Sequence, residues 1–342
     1  MPKISILIPV FNGRKFIRET LDAILAQSFS DYEVICVNDC STDGSLDILN
    51  GYAAADSRFR VYTTDKNLGY SSAAAKFGLQ FVKGDYYAYS SQDDLFSNDW
   101  LSSLYYRAME TGADAVVCDM VFFYANCPER NIVWPGVEAL KGKVITGRQA
   151  FLYSLDETIH NFALWNRRLI DDIGYYDFGM RADEYTYRVW FLNCNKVAFA
   201  SGKFYYRFDN SEAITQKLTI KSFDTPYNSF RLWKLARDNN APYELQEKLI
   251  LTSIDELLYF NQWAYSARFK NSKTKIAECY SAYLSENVSN FFNKWPIHDR
   301  RLLVAKVATR NYTLFTLLTL YRMRKRVVKA LWKRIKYYVT AW

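Results

Sequence analysis

Two acidic pairs hold most of the chemistry this sequence can offer: Asp93-Asp94, which closes the run Asp85-Tyr86-Tyr87-Ala88-Tyr89-Ser90-Ser91-Gln92, and Asp183-Glu184, which opens a helical pattern. Carboxylates at the end of a strand supply hard oxygen ligands to Mg²⁺ or Mn²⁺, cations that bridge phosphate oxygens and neutralise their charge. A carboxylate at a helix start can instead take a proton, provided burial or a neighbouring negative charge lifts it toward neutrality. Each pair also has a plain structural reading, as loop acids or as a helix start charged to suit the dipole. A third group, Asp39 and Asp43 in Asp39-Cys40-Ser41-Thr42-Asp43-Gly44, could meet a ligand or only shape a turn and cap a helix.

Such residues need a frame that brings loop ends side by side. The first third of the chain alternates short β-branched or aromatic runs with helical patterns, the signature of βαβ units and a parallel sheet. Ile4 to Pro9 reads as a buried strand, Arg14 to Gln27 as a helix and Glu33 to Asn38 as a second strand; a helix then runs to about Ala55 with Ser41, Thr42 or Asp43 as its N-cap. Phe59 to Thr63 and Asp85 to Ser90 read as strands on either side of a helix over Ser71 to Val82. Ligands in open α/β sheets gather at the carboxyl ends of strands, and the polar loops after Pro9, Asn38 and Ser90 fall there. Asp114 to Tyr124 is strand-like, Asp183 to Asn193 is helical, and Lys196 to Ala200 with Lys203 to Phe208 suggests a returning pair of strands. From about Ser222 long amphipathic patterns follow, such as Leu245 to Ala264. The expected class is α/β, with a sheet domain at 1–215, a helical module at 216–298 and a basic tail at 299–342.

With 342 residues, half of them apolar, the chain can bury a full core. Six scattered cysteines without a CxxC pair read as reduced thiols and argue against structural zinc. Only His160 and His298 could serve a histidine-centred triad, and each reads as structural. The start lacks the basic and long apolar regions of a signal peptide, which predicts a cytoplasmic chain. The net charge of +8 divides into 32 basic and 36 acidic side chains up to Asp299, then twelve basic and no acidic residues beyond it. Positive charge held in one terminal segment argues against a nucleic-acid partner. Asn311 to Tyr321, an apolar stretch of eleven residues, is too short to span a bilayer, which needs ~20. From Tyr321 to Trp342 apolar and aromatic residues recur at three- and four-residue steps beside the basic ones. This pattern predicts attachment of residues 300–342 to an anionic membrane surface, peripheral at the inner face; a helix packed on protein is the alternative.

Ser5 to Asn12, Val34 to Gly44, Asn67-Leu68-Gly69-Tyr70-Ser71, Gly84-Asp85-Tyr86 with Ser91-Gln92-Asp93-Asp94, Trp165-Asn166-Arg167-Arg168 and Arg181 to Arg188 together resemble the family 2 glycosyltransferases. The resemblance covers roughly residues 3 to 210. It implies the GT-A fold, a Rossmann-like mixed sheet flanked by helices, here with a C-terminal helical extension. It implies an inverting transfer of a hexose or N-acetylhexosamine from a UDP-sugar to a lipid-linked cell-surface glycan, in capsule, O-antigen or lipooligosaccharide assembly. The implied nucleotide-sugar site comprises Pro9, Phe11, Asn12, Asp39 on uracil, Asp65, Asn67, Gly69, Lys76, Gln92 and Asp93. Asp93 would hold a divalent cation, Mn²⁺ or Mg²⁺. Asp94 and Trp165 would face the acceptor, and Glu184, or else Asp183, would be the general base.

Two departures from the family pattern matter. Ser91 stands where the acidic motif usually begins with Asp, which leaves Asp93 as the single direct carboxylate ligand. A membrane-associated nucleotide-sugar-binding scaffold with a decayed catalytic site is the alternative that Ser91 keeps open. Ala73-Ala74-Ala75 stands where the family often has Arg or Asn, leaving Lys76 to meet donor phosphate. Pro9-Val10-Phe11-Asn12-Gly13-Arg14 does not supply the Gly-rich basic loop of a nucleotidyltransferase.

Overall fold

The structure, a computed structural model, describes residues 1–213, 217–264, 267–288, 291, 309 and 315–319. The chain divides into two compact units, Met1–Gln216 and Lys217–Trp342.

Among the described residues of the first unit, ten strands form one mixed sheet: β1 (Ile4–Val10), β2 (Tyr32–Asn38), β3 (Phe59–Thr63), β4 (Tyr86–Tyr89), β5 (Leu95–Phe96), β6 (Ala115–Phe123), β7 (Ile132–Val133), β8 (Val144–Thr146), β9 (Ala163–Asn166) and β10 (Lys196–Arg207). Their order is β3-β2-β1-β4-β9-β6-β10-β5, with β7 on β6 and β8 on β10. The first four run parallel, β9 runs antiparallel between β4 and β6, and β10 lies parallel to β6. Every residue of β1 is buried, as a central parallel strand covered on both faces requires. Register pairs Val10 with Asn38 and Leu7 with Tyr89, so the loops leaving β1, β2 and β4 rise side by side, where the sequence places its polar loops.

The helices of this unit are α1 (Ile17–Leu25), α2 (Ser45–Ala55), α3 (Ser71–Leu79), α4 (Trp100–Thr111), α5 (Pro135–Glu138), α6 (Gly147–Leu155), α7 (Arg168–Ile173) and α8 (Ala182–Asn193). α1, α2 and α4 pack Leu21, Leu49 and Leu104 into one core with Ile6, Ile8, Val34 and Val116 of the sheet. α3 and α8 cover the opposite face. α3 lies so close to it that a Cβ on Gly78 would stand 2.3 Å from Leu7 and 2.7 Å from Val37. α2 begins after Gly44, whose φ of 85° glycine adopts freely, and Asp43 Oδ1 accepts the Ser45 amide at 3.0 Å. None of the three expected caps is the N-cap: Gly44 holds that position without a side-chain cap bond, and Asp43, one residue earlier, only steadies the entry to the helix.

One expectation is corrected. Lys196 to Phe208 is not a returning pair of strands: β10 is a single strand whose register slips between Phe199 and Lys203. Gly202 sits in that slip, and a Cβ there would meet the α4 backbone at 2.8 Å, so glycine lets the chain pass close to the helix and continue rather than turn back.

The second unit holds α9 (Thr225–Asp238), α10 (Tyr243–Ala264) and α11 (Lys273–Ser285), as the amphipathic patterns after Ser222 require. They enclose Phe230, Trp233, Ile254, Leu258 and Tyr283. Phe315 packs on Tyr280 with ring centroids 4.9 Å apart, and Asn261 Nδ2 donates to Thr319 Oγ1 at 2.9 Å; part of the apolar stretch 311–321 therefore belongs to this core. The rest of the proposed membrane segment lies outside the described residues. No helix among the described residues is long and apolar enough to cross a membrane.

Candidate functional site

The first unit gathers its polar groups over the carboxyl ends of β1, β2 and β4. Pro9 is buried within β1. Phe11 follows with its ring exposed, while its amide donates to Gln92 Oε1 at 2.8 Å and its carbonyl accepts from Gln92 Nε2 at 3.2 Å. Gln92 therefore pins the first loop to the fourth. Asn12, at φ 50°, accepts the Thr42 amide on Oδ1 at 2.8 Å and donates its own amide to Ser41 Oγ at 3.0 Å. Asp39 is buried; its carboxylate accepts from the Leu68 amide at 2.8 Å, the Thr64 hydroxyl at 2.9 Å and Asn67 Nδ2 at 3.1 Å. Asp39 and Asn67 thus fix each other and the turn through Gly69, whose φ is 88°. Asp65 is exposed on the same connection. Lys76 is exposed and pairs with Asp177 at 3.1 Å; a pair this open is worth about 0–1 kcal/mol, so its ammonium can change partner cheaply.

At the end of β4 the two acids of the pair differ. Asp93 is partly exposed; Asn210 Nδ2 donates to its Oδ2 at 2.6 Å and Arg207 Nε to its carbonyl at 2.9 Å. Asp94 is 1% exposed, and its carboxyl accepts the amides of Ser91 at 2.9 Å and Arg207 at 3.4 Å. Burial, with the charge of Asp93, pushes the Asp94 carboxyl up to about 8. An acceptor-facing Asp94 is therefore corrected: the side chain closes its own turn and points inward. Trp165 is corrected too. It is wholly buried on β9, its ring stacked on Tyr187 of α8, where no sugar reaches it.

The chemistry of this donor set can be weighed against a divalent cation. Among the described residues no three His, Cys, Asp or Glu side chains converge as a metal cage. Mg²⁺ sites are commonly built from one or two carboxylates completed by substrate phosphates and water, and a single partly exposed Asp93 fits a cation of that kind.

The second acidic pair opens α8. Glu184 is gripped by Arg181, Nε to Oε1 at 2.8 Å and Nη2 to Oε2 at 3.0 Å, and Arg188 stands at 3.6 Å. Burial would raise the Glu184 carboxyl, but the two guanidiniums outweigh it and hold it below the usual range. Arg181 reaches this position from a φ of 67°, a conformation that costs a non-glycine residue about 1–3 kcal/mol. Asp183 has the opposite environment: burial, then the charge of Glu184, raises it to about 6. Its charge acts on Tyr89, whose hydroxyl contacts Ser71 of α3 and Ser91 of the acidic motif. The start of α3, the acidic motif at Ser91 and Asp183 are in this way joined through one phenol.

Sequence reasoning does not single out Tyr89, Arg181, Arg207 or Asn210. The available signal for Arg207 is a charged residue ending the aromatic run Phe204-Tyr205-Tyr206; it is buried, paired with Glu19 and set over the Phe16 ring at 4.6 Å. His160 is structural, as expected. It is buried with Nε2 2.8 Å from the Cys118 carbonyl and accepts the Phe162 amide on Nδ1, and burial lowers it to about 4.

The family model described as Glycosyl transferase family 2 matches residues 5–174. Among curated proteins, a glycosyltransferase of Streptococcus pneumoniae, GlyG, is 26% identical over 209 residues, 59% of this chain and 69% of that one. The cholesterol galactosyltransferase of Borreliella burgdorferi is 29% identical over 238 residues, 64% of this chain and 63% of its own length. Six further relatives are matched over only 16–40% of their lengths. Among solved structures, the S. aureus TarS fragment 1–349 in complex with UDP-GlcNAc superimposes with a TM-score of 0.55 at 17% identity, over 90% of this chain and 80% of that one. The likeness to it is one of fold, and the fold is GT-A.

Proposed function

We propose that this chain, which belongs to the family 2 glycosyltransferases, transfers a hexose or N-acetylhexosamine with inversion from a UDP-sugar to a lipid-linked cell-surface glycan. The observation that carries the reading is the meeting at Tyr89 of Ser71 at the start of α3, Ser91 of the acidic motif and the charge of Asp183. The UDP-GlcNAc in the TarS complex supports the donor class, and the sterol substrate named for the Borreliella relative supports an acceptor with a lipid part.

Asp39, Asn67 and the exposed Phe11 line the nucleotide side, with Lys76 free to leave Asp177 for phosphate. Asp93, steadied by Asn210, would hold a divalent cation that neutralises the departing diphosphate. Asp183, rather than Glu184, is the base. A base must be ionised near its working pH yet able to hold a proton, which a carboxyl near 6 can do and one locked to two guanidiniums cannot. It takes the acceptor hydroxyl's proton as that oxygen attacks the anomeric carbon opposite UDP, inverting the configuration. The test is UDP release from a panel of UDP-sugars with Mn²⁺ and a lipid-linked acceptor; no release with any donor would reject the reading.

Residues beyond Leu320 carry eight of the twelve terminal basic side chains and are proposed to bind anionic lipid, each contributing up to about 1 kcal/mol. A chain ending at Leu320 keeps Phe315 and Thr319 in their core and is expected to stay in the supernatant with anionic liposomes that pellet the full chain. Equal pelleting of both would exclude this role.

A further inference from the structure

Beneath Asp183, the hydroxyls of Tyr87, Tyr175 and Tyr187 and the indole N–H of Trp165 are buried without hydrogen-bond partners. They converge on one place. Tyr187 follows Asp183 by one turn of α8, the spacing that sets two side chains on the same face. Its ring stacks on Trp165 at 5.4 Å and meets Tyr175 edge-on at 6.2 Å. Tyr87 faces Trp165 across the β4–β9 register, and the hydroxyls of Tyr87 and Tyr175 lie against that of Tyr187 without a well-formed bond among them. All three phenols are raised by burial and, further, by the charge of Asp183, so they stay protonated and able to donate. An unpartnered buried hydroxyl costs about 1–3 kcal/mol, and native interiors rarely leave one. Three that feel the charge of one carboxylate have in it an acceptor they could share, since an ionised carboxylate offers about four lone-pair sites.

We propose that Tyr87, Tyr175 and Tyr187 are positioning residues that donate hydrogen bonds, directly or through an internal water, to the Asp183 carboxylate and aim it at the acceptor hydroxyl. The proposal rests on the reading of Asp183 as base. The other groups acting on Asp183 are the charges of Glu184 and Arg181 and the amides of Asp183 and Glu184; Arg188 and Tyr89 stand within electrostatic reach. A Tyr→Phe change leaves all of these in place. Hydrogen bonds to the ionised form favour it, so losing one donor shifts the acid limb of the pH profile upward.

The experiment is kcat/KM against pH for the full chain carrying Tyr187→Phe, with Tyr175→Phe as a second variant and UDP binding as the check on folding. The acid limb is expected to move up by about half to one pH unit, with activity at pH 6 falling several-fold and recovering above pH 8. An unmoved limb in a variant that still binds UDP overturns the proposal. Turnover persisting in Asp183→Asn would instead overturn the base assignment, and this proposal with it.

Discussion

Asp183→Asn is expected to lower kcat by about 10²- to 10⁴-fold, the usual contribution of a general base, while UDP binding stays within a few-fold of the unaltered chain. Glu184→Gln is expected to act differently. Removing that charge leaves the half-buried Arg188 without its Glu184 ion pair and the strained Arg181 without its bidentate partner. The result is a loss of about 1–3 kcal/mol in stability, read as a lower melting temperature, with turnover reduced only in step. In the unaltered chain kcat/KM should fall as pH drops through about 6, because burial and the neighbouring Glu184 charge raise Asp183 to about 6 and only its ionised form accepts a proton. Turnover at background in Glu184→Gln, beside near-normal turnover in Asp183→Asn, would reverse the assignment.

That contrast also marks how far the sequence alone reaches. Strand positions along β1 and β2 are legible because both are continuous apolar runs flanked by turn residues, and the polar loops at their ends follow from the parallel sheet. Both acidic pairs are legible as pairs. Which member of each does chemistry is not, because it depends on partners distant in sequence. Arg207 reaches Asp93 and Asp94 from 114 and 113 residues away, and Asn210 fixes Asp93 from 117. Arg181 is nearer, only three residues before Glu184, but its grip depends on a backbone conformation that residue type does not announce. Trp165 reads equally well as a wall or a platform until β9 is seen inserted antiparallel between β4 and β6, which buries it. The slip in β10 is hidden for a similar reason: Ser201-Gly202 looks like a turn, and only the close approach of α4 shows why the strand continues.

Asp93→Ala and Asp94→Ala should separate in the same manner as the second pair, and more sharply. Asp93 is the partly exposed acid and the one carboxylate offered to a donor-borne cation, so its removal is expected to bring UDP release to background at any Mn²⁺ concentration. Its fold contribution is limited, since Arg207 bonds the Asp93 backbone carbonyl, which the substitution keeps, and the one side-chain donor that loses its partner is the buried Asn210 amide. The melting temperature should therefore fall by less than in Asp94→Ala. Asp94 is closed into the protein, and truncating it takes the acceptor from the half-buried Ser91 amide and the buried Arg207 amide, at about 1–3 kcal/mol for a buried donor left unsatisfied. Its loss should lower the melting point by several degrees and loosen the very turn that presents Asp93. Rescue offers the decisive measurement: raising Mn²⁺ should restore part of the turnover of a folded Asp94→Ala chain, whose ligand is misplaced, and none of that of Asp93→Ala, whose ligand is gone. Equal rescue of both would mean that Asp93 does not hold the cation.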